Sequence, residues 1–178
     1  MGIHIYLHIQ PNRIDPAAWA SVYDEALALL KAHPAGLIGV RFEKTATGTR
    51  RFYSRNLEVD RDDPRRRYFT VCGDRASRET GEGHDLYRDL KHYQEGRAFS
   101  QSRFATAKSD ILLGYNQGDW RAARVFGNKT QGRPYHLPLL AVAALIENHF
   151  PTAAVVTGDI DAAQAERGRW LGEVGARP

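Results

Sequence analysis

Residues 125–164, VFGNKTQGRPYHLPLLAVAALIENHFPTAAVVTGDIDAAQ, contain the longest apolar segment of the chain. From Pro138 to Phe150 almost every residue is apolar, which is typical of a helix buried on all sides. Pro138 suits the first position of a helix, where a missing N–H costs nothing, and Pro151 ends the helix. Residues 153–157 form a short apolar run, which predicts a strand covered on both faces. The segment therefore predicts a buried helix followed by a buried strand.

The flanking sequence predicts the other elements of a mixed α/β domain. Residues 3–9 alternate apolar with polar residues, as a half-exposed strand does. Asp15 and Pro16 begin an amphipathic helix, the first as its cap and the second in its first turn. The other predicted strands are 37–43, 51–56, 68–73 and 120–126, the first two joined as a hairpin, and the other predicted helices are 84–94 and one capped by Asp161. We therefore expect a single mixed β-sheet of about five to six strands flanked by helices, with helix 138–150 buried at its centre.

Length and composition predict one globular domain spanning residues 1–178. A chain of 178 residues can bury one core, and a hydrophobic fraction of 42%, a charged fraction of 26% and a mean hydropathy of −0.51 are typical of globular proteins. No apolar run approaches the roughly 18 residues that a membrane-spanning helix needs. The N-terminus lacks the pattern of a signal peptide, so we expect a cytoplasmic location and no membrane partner. The last residues, GARP, add no closing element, and the chain therefore also fits one piece of a longer protein.

The basic character of the chain does not indicate a nucleic-acid partner. The net charge is +4, and Lys and Arg are the residues that hold phosphate backbones. However, the densest basic run, Arg65 to Arg67, directly follows Asp60, Asp62 and Asp63, so the local charge is close to neutral. This pattern favours a solvated loop of mixed charge.

A polar loop before the long helix is the first candidate binding site. It contains Lys129, Gln131, Tyr135 and His136. Its GNKT sequence lacks the glycines of a phosphate-binding loop, and Pro134 interrupts the helix that should follow, so we expect neither nucleotide binding nor another cofactor. Loops at strand ends often hold binding residues. The alternative is a surface turn whose tyrosine and histidine pack against the next helix.

Two acidic corners form the second candidate site. Asp74 in VCGDRAS and Asp159 in VTGDIDA each follow a glycine at the end of an apolar run. If the two strands are neighbours, their carboxylates could bind a divalent metal ion, with His136 as general acid or base. Such a site would suit metal-dependent hydrolysis of a phosphoester or nucleic-acid substrate. Asp161 is explained as a helix cap, and Cys72, the one cysteine, excludes a metal site built from cysteines.

A segment without regular spacing is the third candidate. Residues 97–108 fit neither a helix nor a strand, which is typical of a loop that contacts a partner. Aromatic residues and arginine are enriched at the centres of protein interfaces. The predicted contact surface for a protein partner comprises Phe99, Phe104, Trp120, Arg121, Lys129, Gln131 and Tyr135.

Three segments of the chain, MGIHIYLHIQP (1–11), KTQGRPYH (129–136) and FPTAAVVTGDIDAAQAE (150–166), resemble uncharacterised bacterial proteins of toxin and immunity loci, which act in interbacterial competition. The resemblance implies a small cytoplasmic protein that protects its host by binding and occluding a toxin. It implies no catalytic residue. We therefore expect a non-catalytic protein-binding domain of the immunity type. The alternative is a metal-dependent hydrolase that uses Asp74, His136 and Asp159.

Overall fold

The computed structural model describes residues 3–94 and 123–175, which contain eight strands and four α-helices. The strands are β1 (Ile5–Ile9), β2 (Leu37–Thr45), β3 (Gly48–Ser54), β4 (Glu58–Val59), β5 (Tyr68–Asp74), β6 (Glu79–Tyr87), β7 (Ala123–Phe126) and β8 (Ala154–Gly158). The helices are α1 (Pro16–Ala32), α2 (Lys91–Gln94), α3 (His136–His149) and α4 (Ala162–Gly175), and a short 3₁₀ turn (Pro11–Arg13) precedes α1. No helix in this part of the chain is long and apolar enough to cross a membrane.

The described strands form two antiparallel sheets. In the smaller sheet β1 lies between β7 and β8, and in the larger sheet the order is β3, β2, β5, β4, with β6 also paired to β5. All of these pairings are antiparallel. The expected combination of helices and strands is confirmed, but the prediction of a single mixed sheet is wrong. The reason is that β1 pairs with strands from the end of the chain, whereas β2 to β6 pair among themselves.

The smaller sheet and α3 form the centre of the core. Ile5, Leu7 and Ile9 of β1 are buried, and so is every residue from Pro138 to Ile146. The predicted central helix is therefore confirmed. It begins at His136, so Pro138 is its third residue and not its first, but the first turn still tolerates a residue without a backbone N–H.

Helix α1 joins the larger sheet to α3. The ring of Tyr23 lies 5.2 Å from the ring of Phe69 in β5, centre to centre, and the ring of Trp19 lies 6.2 Å from that of Phe150, which follows α3. All four are large aromatic side chains whose rings are apolar, so these contacts exclude water from the space between the sheet and the helices. The core is thus continuous from β5 to α3.

Both helix caps that the sequence predicted are present. The carboxylate of Asp15 accepts a hydrogen bond from the N–H of Ala18 at 2.8 Å. At α4, the carboxylate of Asp161 accepts from the N–H of Gln164 at 2.8 Å, and the side chain of Gln164 accepts from the N–H of Asp161 at 3.2 Å. This reciprocal pair is a capping box, which satisfies two backbone donors at the start of the helix.

The predicted helix at 84–94 is wrong, because β6 occupies the first part of that segment. β6 pairs with β5 through Tyr87, and only the four residues of α2 are helical. In β6, His84 and Leu86 are buried, whereas Asp85 and Tyr87 are only partly buried. This alternation, with a period of two residues, is that of a strand. The apolar spacing that suggested a helix therefore arises from a strand followed by a turn.

The hairpin predicted between β2 and β3 is confirmed, and its outer part extends beyond the larger sheet. Among the described residues, β2 pairs with β5 at Leu37 and Ile38, and it then pairs with β3 from Gly39 to Thr45 without a shift in register. A Cβ on Gly39 would lie 3.0 Å from the carbonyl oxygen of Thr70, so a glycine lets β2 pass close to β5 as it leaves the sheet. We call residues 41–53 the arm.

Candidate functional site

The predicted binding loop and the corner after β8 lie on either side of the N-terminal residues. The N–H of Thr130 donates to the carbonyl of Ile3 at 2.8 Å, and His4 forms an isolated antiparallel bridge with Lys129. The N–H of Asp159 donates to the carbonyl of His4 at 3.0 Å. The structure therefore brings the loop and one of the two acidic corners into one region.

Asp159 connects the corner to the N-terminal strand. Its Oδ2 accepts a hydrogen bond from the backbone N–H of His4 at 3.0 Å and lies 3.3 Å from Nδ1 of the same histidine. The preceding Gly158 has a φ of +136°, a conformation that favours glycine, and a Cβ there would collide with the carbonyl of His4. The exposed carboxylate of Asp159 thus closes a tight backbone junction.

His136 is buried at the start of α3, where it does not face solvent. Its Nδ1 lies 2.6 Å from Oγ1 of Thr130, and burial lowers its pKa, which the carboxylate of Asp161 opposes only in part. The imidazole is therefore neutral at pH 7, and its bond to Thr130 fixes the loop against the helix. Within the described residues its Nε2 has no hydrogen-bond partner.

Tyr135 is also buried, so it cannot contribute its side chain to a contact surface as the sequence predicted. It is fully inaccessible, and burial raises the pKa of its hydroxyl to about 12. The hydroxyl lies against Gly81 of β6, where a Cβ would leave no room for it. The alternative interpretation, a turn whose tyrosine and histidine pack inward, is therefore correct for these two residues, because α3 and β6 enclose them.

Asp74 lies at the end of β5 in the larger sheet and holds the turn to β6. Its carboxylate accepts hydrogen bonds from the N–H of Ser77 at 2.8 Å and from the hydroxyl of Ser77 at 2.9 Å. No three His, Cys, Asp or Glu side chains in residues 3–94 and 123–175 are placed to hold a metal ion together. The predicted grouping of Asp74 and Asp159 with His136 as a metal site is not formed, because the two aspartates end strands of different sheets.

Two of the other predicted contact residues are accessible. Lys129 and Gln131 have exposed side chains on the loop, and Gln131 adopts a φ of +57°. The remaining predicted contact residues, Phe99, Phe104, Trp120 and Arg121, lie outside the described residues, as does the predicted loop at 97–108. The described part of the predicted surface is therefore limited to this polar turn.

Among the described residues, the largest group of exposed aromatic side chains lies on the arm, which the sequence interpretation did not identify. Phe42 is 59% exposed, Tyr53 50% and Phe52 37%. The register places Phe42 opposite Arg51 and Phe52 opposite Arg41. The Arg51 guanidinium lies 5.3 Å from the centre of the Phe42 ring, and that of Arg41 lies 6.0 Å from the Phe52 ring, both within the range of a cation–π contact.

The two faces of the arm therefore have similar chemistry. Directly opposed residues share a face of a hairpin, so Phe42, Arg51 and Tyr53 lie on one face and Arg41 and Phe52 lie on the other. Each face combines exposed aromatic area with a guanidinium group. The sequence RFEKTATGTRRFY contains a signal for this arrangement. Both faces of the predicted hairpin include charged residues, so neither face is the uniformly apolar one that packs against a core.

The arm also carries an excess of positive charge. Residues 41–53 contain Arg41, Lys44, Arg50 and Arg51 but only one carboxylate, Glu43. All of these side chains are exposed. A hairpin with this charge attracts anionic surfaces over the screening length of the solvent.

The region at the base of the arm is balanced in charge. A cleft of about 530 Å³ separates the arm from the connection between β4 and β5, and its lining includes Asp60, Asp62, Asp63, Arg61 and Arg66. Residues 60–66 are exposed, as the predicted solvated loop of mixed charge requires, but Arg67 of the same basic run is half-buried and pairs with Glu58. The cationic character is therefore concentrated on the arm and not in the cleft.

Comparison with known proteins provides no further indication of function. A scan against protein-family models, a search of curated proteins and a search of solved structures each found no match. The arm and the loop around Lys129 are thus the described surfaces from which a function can be argued.

Proposed function

We propose that this chain is a non-catalytic protein-binding domain that recognises an acidic surface of its partner through the arm. The role is that expected of an immunity-type protein that neutralises a cognate bacterial toxin. The observation that carries the proposal is the group of three exposed aromatic side chains and two stacked arginines on one hairpin. Tyrosine and arginine are among the residues that most often carry binding energy at interfaces.

Packing within the domain does not account for the exposed rings of Phe42 and Phe52, whereas the side chain of Tyr53 also lies beside that of Thr80 in β6. Single exposed apolar residues are common on protein surfaces, but Phe42, Phe52 and Tyr53 lie together on two adjacent strands. Exposed aromatic residues on a hairpin contribute little to stability and increase the risk of self-association. Their grouping therefore favours a role in contacting another molecule.

The charge of the arm favours a partner with an acidic surface. Arg50 and Arg51 follow each other along β3, so their side chains leave opposite faces of the arm. Complementary charge accelerates association and disfavours partners of the wrong sign. Because Arg41 and Arg51 also lie over aromatic rings, a protein surface that offers both carboxylates and apolar area is a better match than a carboxylate-rich surface alone.

The residues that could support catalysis are committed to structural contacts. Asp74 binds Ser77, Asp159 binds His4, and His136 is buried against Thr130. A general acid or base must reach the substrate, which a fully buried imidazole does not. The arrangement therefore supports binding over hydrolysis.

Site-specific photocrosslinking tests the proposal. A photoreactive phenylalanine analogue is placed at position 42, and for comparison at Trp170 on α4, which is equally exposed at 59%. Both variants are expressed in the organism that encodes the chain and irradiated. We expect one protein adduct from position 42, none from position 170, and an acidic segment in the adduct when its peptides are sequenced.

Charge reversal separates the arm from basic residues elsewhere. The double substitution Arg50→Glu and Arg51→Glu should abolish the adduct, whereas Arg65→Glu and Arg66→Glu, in the exposed loop before β5, should leave it intact. Equal adducts from positions 42 and 170 would contradict the proposal. So would an adduct that disappears after nuclease treatment, because the arm would then be binding a nucleic acid.

A further inference from the structure

The strand edges of the described chain differ in whether another strand can pair with them. At β8, the N–H of Val156 donates to Oε1 of Glu147 at 2.9 Å, so a side chain occupies that edge. At β6, the carbonyls of Thr80 and Gly83 accept hydrogen bonds from the side chains of Arg133 and Asn128. These contacts use the backbone groups that a further strand would need.

The two remaining short strands are also poor templates. β4 consists of two residues, and β7 has four and packs against β6 and α2. A strand of two to four residues offers at most a few ladder hydrogen bonds. Protection of edges by short strands or covering side chains is the usual way in which proteins avoid unwanted pairing.

β3 and the outer part of β2 (40–45) are the exceptions among the described strands, because each lacks a partner strand on one side. β3 is the better match for an acidic segment, since it carries Arg50 and Arg51 and no carboxylate, whereas β2 carries Glu43. β3 is seven residues long, ends the order of the larger sheet, and pairs with β2 along its whole length. It contains no proline and no register shift, and its residues are exposed from Gly48 to Tyr53. Its outer edge therefore presents a row of backbone donors and acceptors in extended geometry.

We propose that the outer edge of β3 accepts an extended acidic segment of the partner protein as an additional strand. The inference rests on the proposed function and states how the arm would hold its partner. Backbone hydrogen bonds would provide affinity, and alternate side chains would provide specificity. Carboxylates on one face of the added strand would lie beside Arg51, and those on the other face beside Arg50.

The same charges disfavour pairing between two copies of the chain. An edge-to-edge pair of β3 strands would bring the arginines of one copy next to those of the other, and like charges on neighbouring strands are destabilising. An acidic strand relieves this repulsion. The arginines thus discourage self-association while leaving the edge open to a segment of opposite charge.

Nuclear magnetic resonance with a synthetic peptide tests the inference directly. The probe is a seven-residue peptide of alternating glutamate and valine, with both ends blocked, titrated into the ¹⁵N-labelled chain. We expect chemical-shift changes at the amides of β3 and at least about tenfold slower hydrogen exchange there. A peptide with lysine in place of glutamate is the charge control.

The decisive control is the same acidic peptide N-methylated at two adjacent central residues. Adjacent residues direct their N–H groups to opposite edges, so this peptide cannot form a continuous ladder in either orientation. It should bind at least about tenfold more weakly. Equal binding of the methylated peptide, or unchanged β3 amides with the parent peptide, would overturn strand addition.

The two proposals fail in distinguishable ways. If position 42 captures an acidic protein but the peptide leaves the amides of β3 unchanged, the arm binds its partner through side chains alone, and strand addition is wrong. If the peptide protects β3 but position 42 captures no protein, the edge accepts acidic strands while the proposed function is contradicted.

Discussion

Arg51 places its guanidinium 5.3 Å from the centre of the Phe42 ring, directly across the arm from it. The same guanidinium donates to the hydroxyl of Tyr53 at 3.4 Å, and this hydrogen bond lowers the pKa of Tyr53. One cation thus contacts two exposed aromatic side chains. A cation–π contact at an exposed site is worth about 0.5–1 kcal/mol, which is enough to orient the side chains but contributes little to the stability of the fold.

The substitution Phe42→Ala should therefore leave the fold nearly as stable as before. We expect the free energy of unfolding to change by less than about 1 kcal/mol, because the ring is mostly exposed and loses chiefly its contact with Arg51. Urea denaturation followed by circular dichroism measures the change. Phe69→Ala is the matched control, because the same substitution in the core should cost about 3–5 kcal/mol. A loss of more than about 2 kcal/mol for Phe42→Ala would show that the arm is part of the core.

Glu58 should be far more important for stability than its position in a charged segment suggests. Its side chain is only 3% exposed and lies 2.8 Å from Nζ of Lys31 and 2.6 Å from Nη2 of Arg67. Burial opposes the ionisation of Glu58, but the hydrogen bonds from the two cations outweigh it, so its pKa is lowered. We expect Glu58→Gln to reduce the free energy of unfolding by about 1–3 kcal/mol, because it leaves the partly buried Arg67 without its charged partner, while the half-exposed Lys31 is hydrated.

The matched control for Glu58 is Glu43 on the arm. Its Oε1 lies 3.0 Å from Nε of Arg41, but both side chains are about half exposed. Glu43→Gln should change stability by less than about 1 kcal/mol, because exposed ion pairs contribute little.

The contribution of Glu58 should also depend on pH. Since the pKa of Glu58 is lowered in the folded state, its contribution to stability is present at neutral pH and is lost as the pH falls through this lowered pKa. The difference between the wild type and Glu58→Gln should accordingly shrink in acid.

Local sequence patterns were sufficient to predict much of the fold. The capping residues Asp15 and Asp161 fix the starts of two helices, and the apolar segment from Pro138 onward identifies the buried helix α3. The turn at Gly48 joins β2 to β3 in the predicted hairpin. Each of these features depends on residues within a few positions of one another, so the sequence contains the information directly.

Features that depend on distant pairing were not predictable in this way. The sequence does not state that β1 pairs with β7 and β8, so the division into two sheets was missed, and with it the separation of Asp74 from Asp159. The strand β6 was mistaken for a helix because pairing with β5 outweighs a local helical spacing. The arm was missed because exposure on both faces depends on where β2 leaves the sheet, near Gly39.

His8 should make the stability of the fold depend on pH below neutrality. The side chain is buried in β1 opposite Arg124, and burial together with the charge of Arg124 lowers its pKa from 6.5 to about 4. The unfolded chain therefore binds a proton at His8 between these two values and the folded chain does not. The part of the folding free energy that comes from this pKa shift is about 3 kcal/mol. It is fully present above pH 6.5 and is lost as the pH falls towards 4.

The measurement is thermal or urea unfolding of the wild type and of His8→Gln between pH 7 and pH 4. Carboxylates contribute equally to both proteins, so the difference between the two curves isolates His8. Between pH 7 and pH 4 the unfolding free energy of the wild type should fall by about 2–3 kcal/mol more than that of His8→Gln. Parallel curves would mean that the folded state protonates His8 as easily as the unfolded chain does.

Asp159 provides the test that separates a structural corner from a catalytic one. Asp159→Asn keeps an oxygen that can accept from the N–H of His4 but removes the charge beside the histidine ring. If the residue serves only as a backbone junction, the variant should lose no more than about 1 kcal/mol of stability. Addition of Mg²⁺, Mn²⁺ or Zn²⁺ should then leave the melting temperature of both proteins unchanged, because neither binds the ion. A rise in melting temperature that occurs in the wild type and is absent from Asp159→Asn would instead support the metal-dependent hydrolase, since an ion that binds the folded state stabilises it.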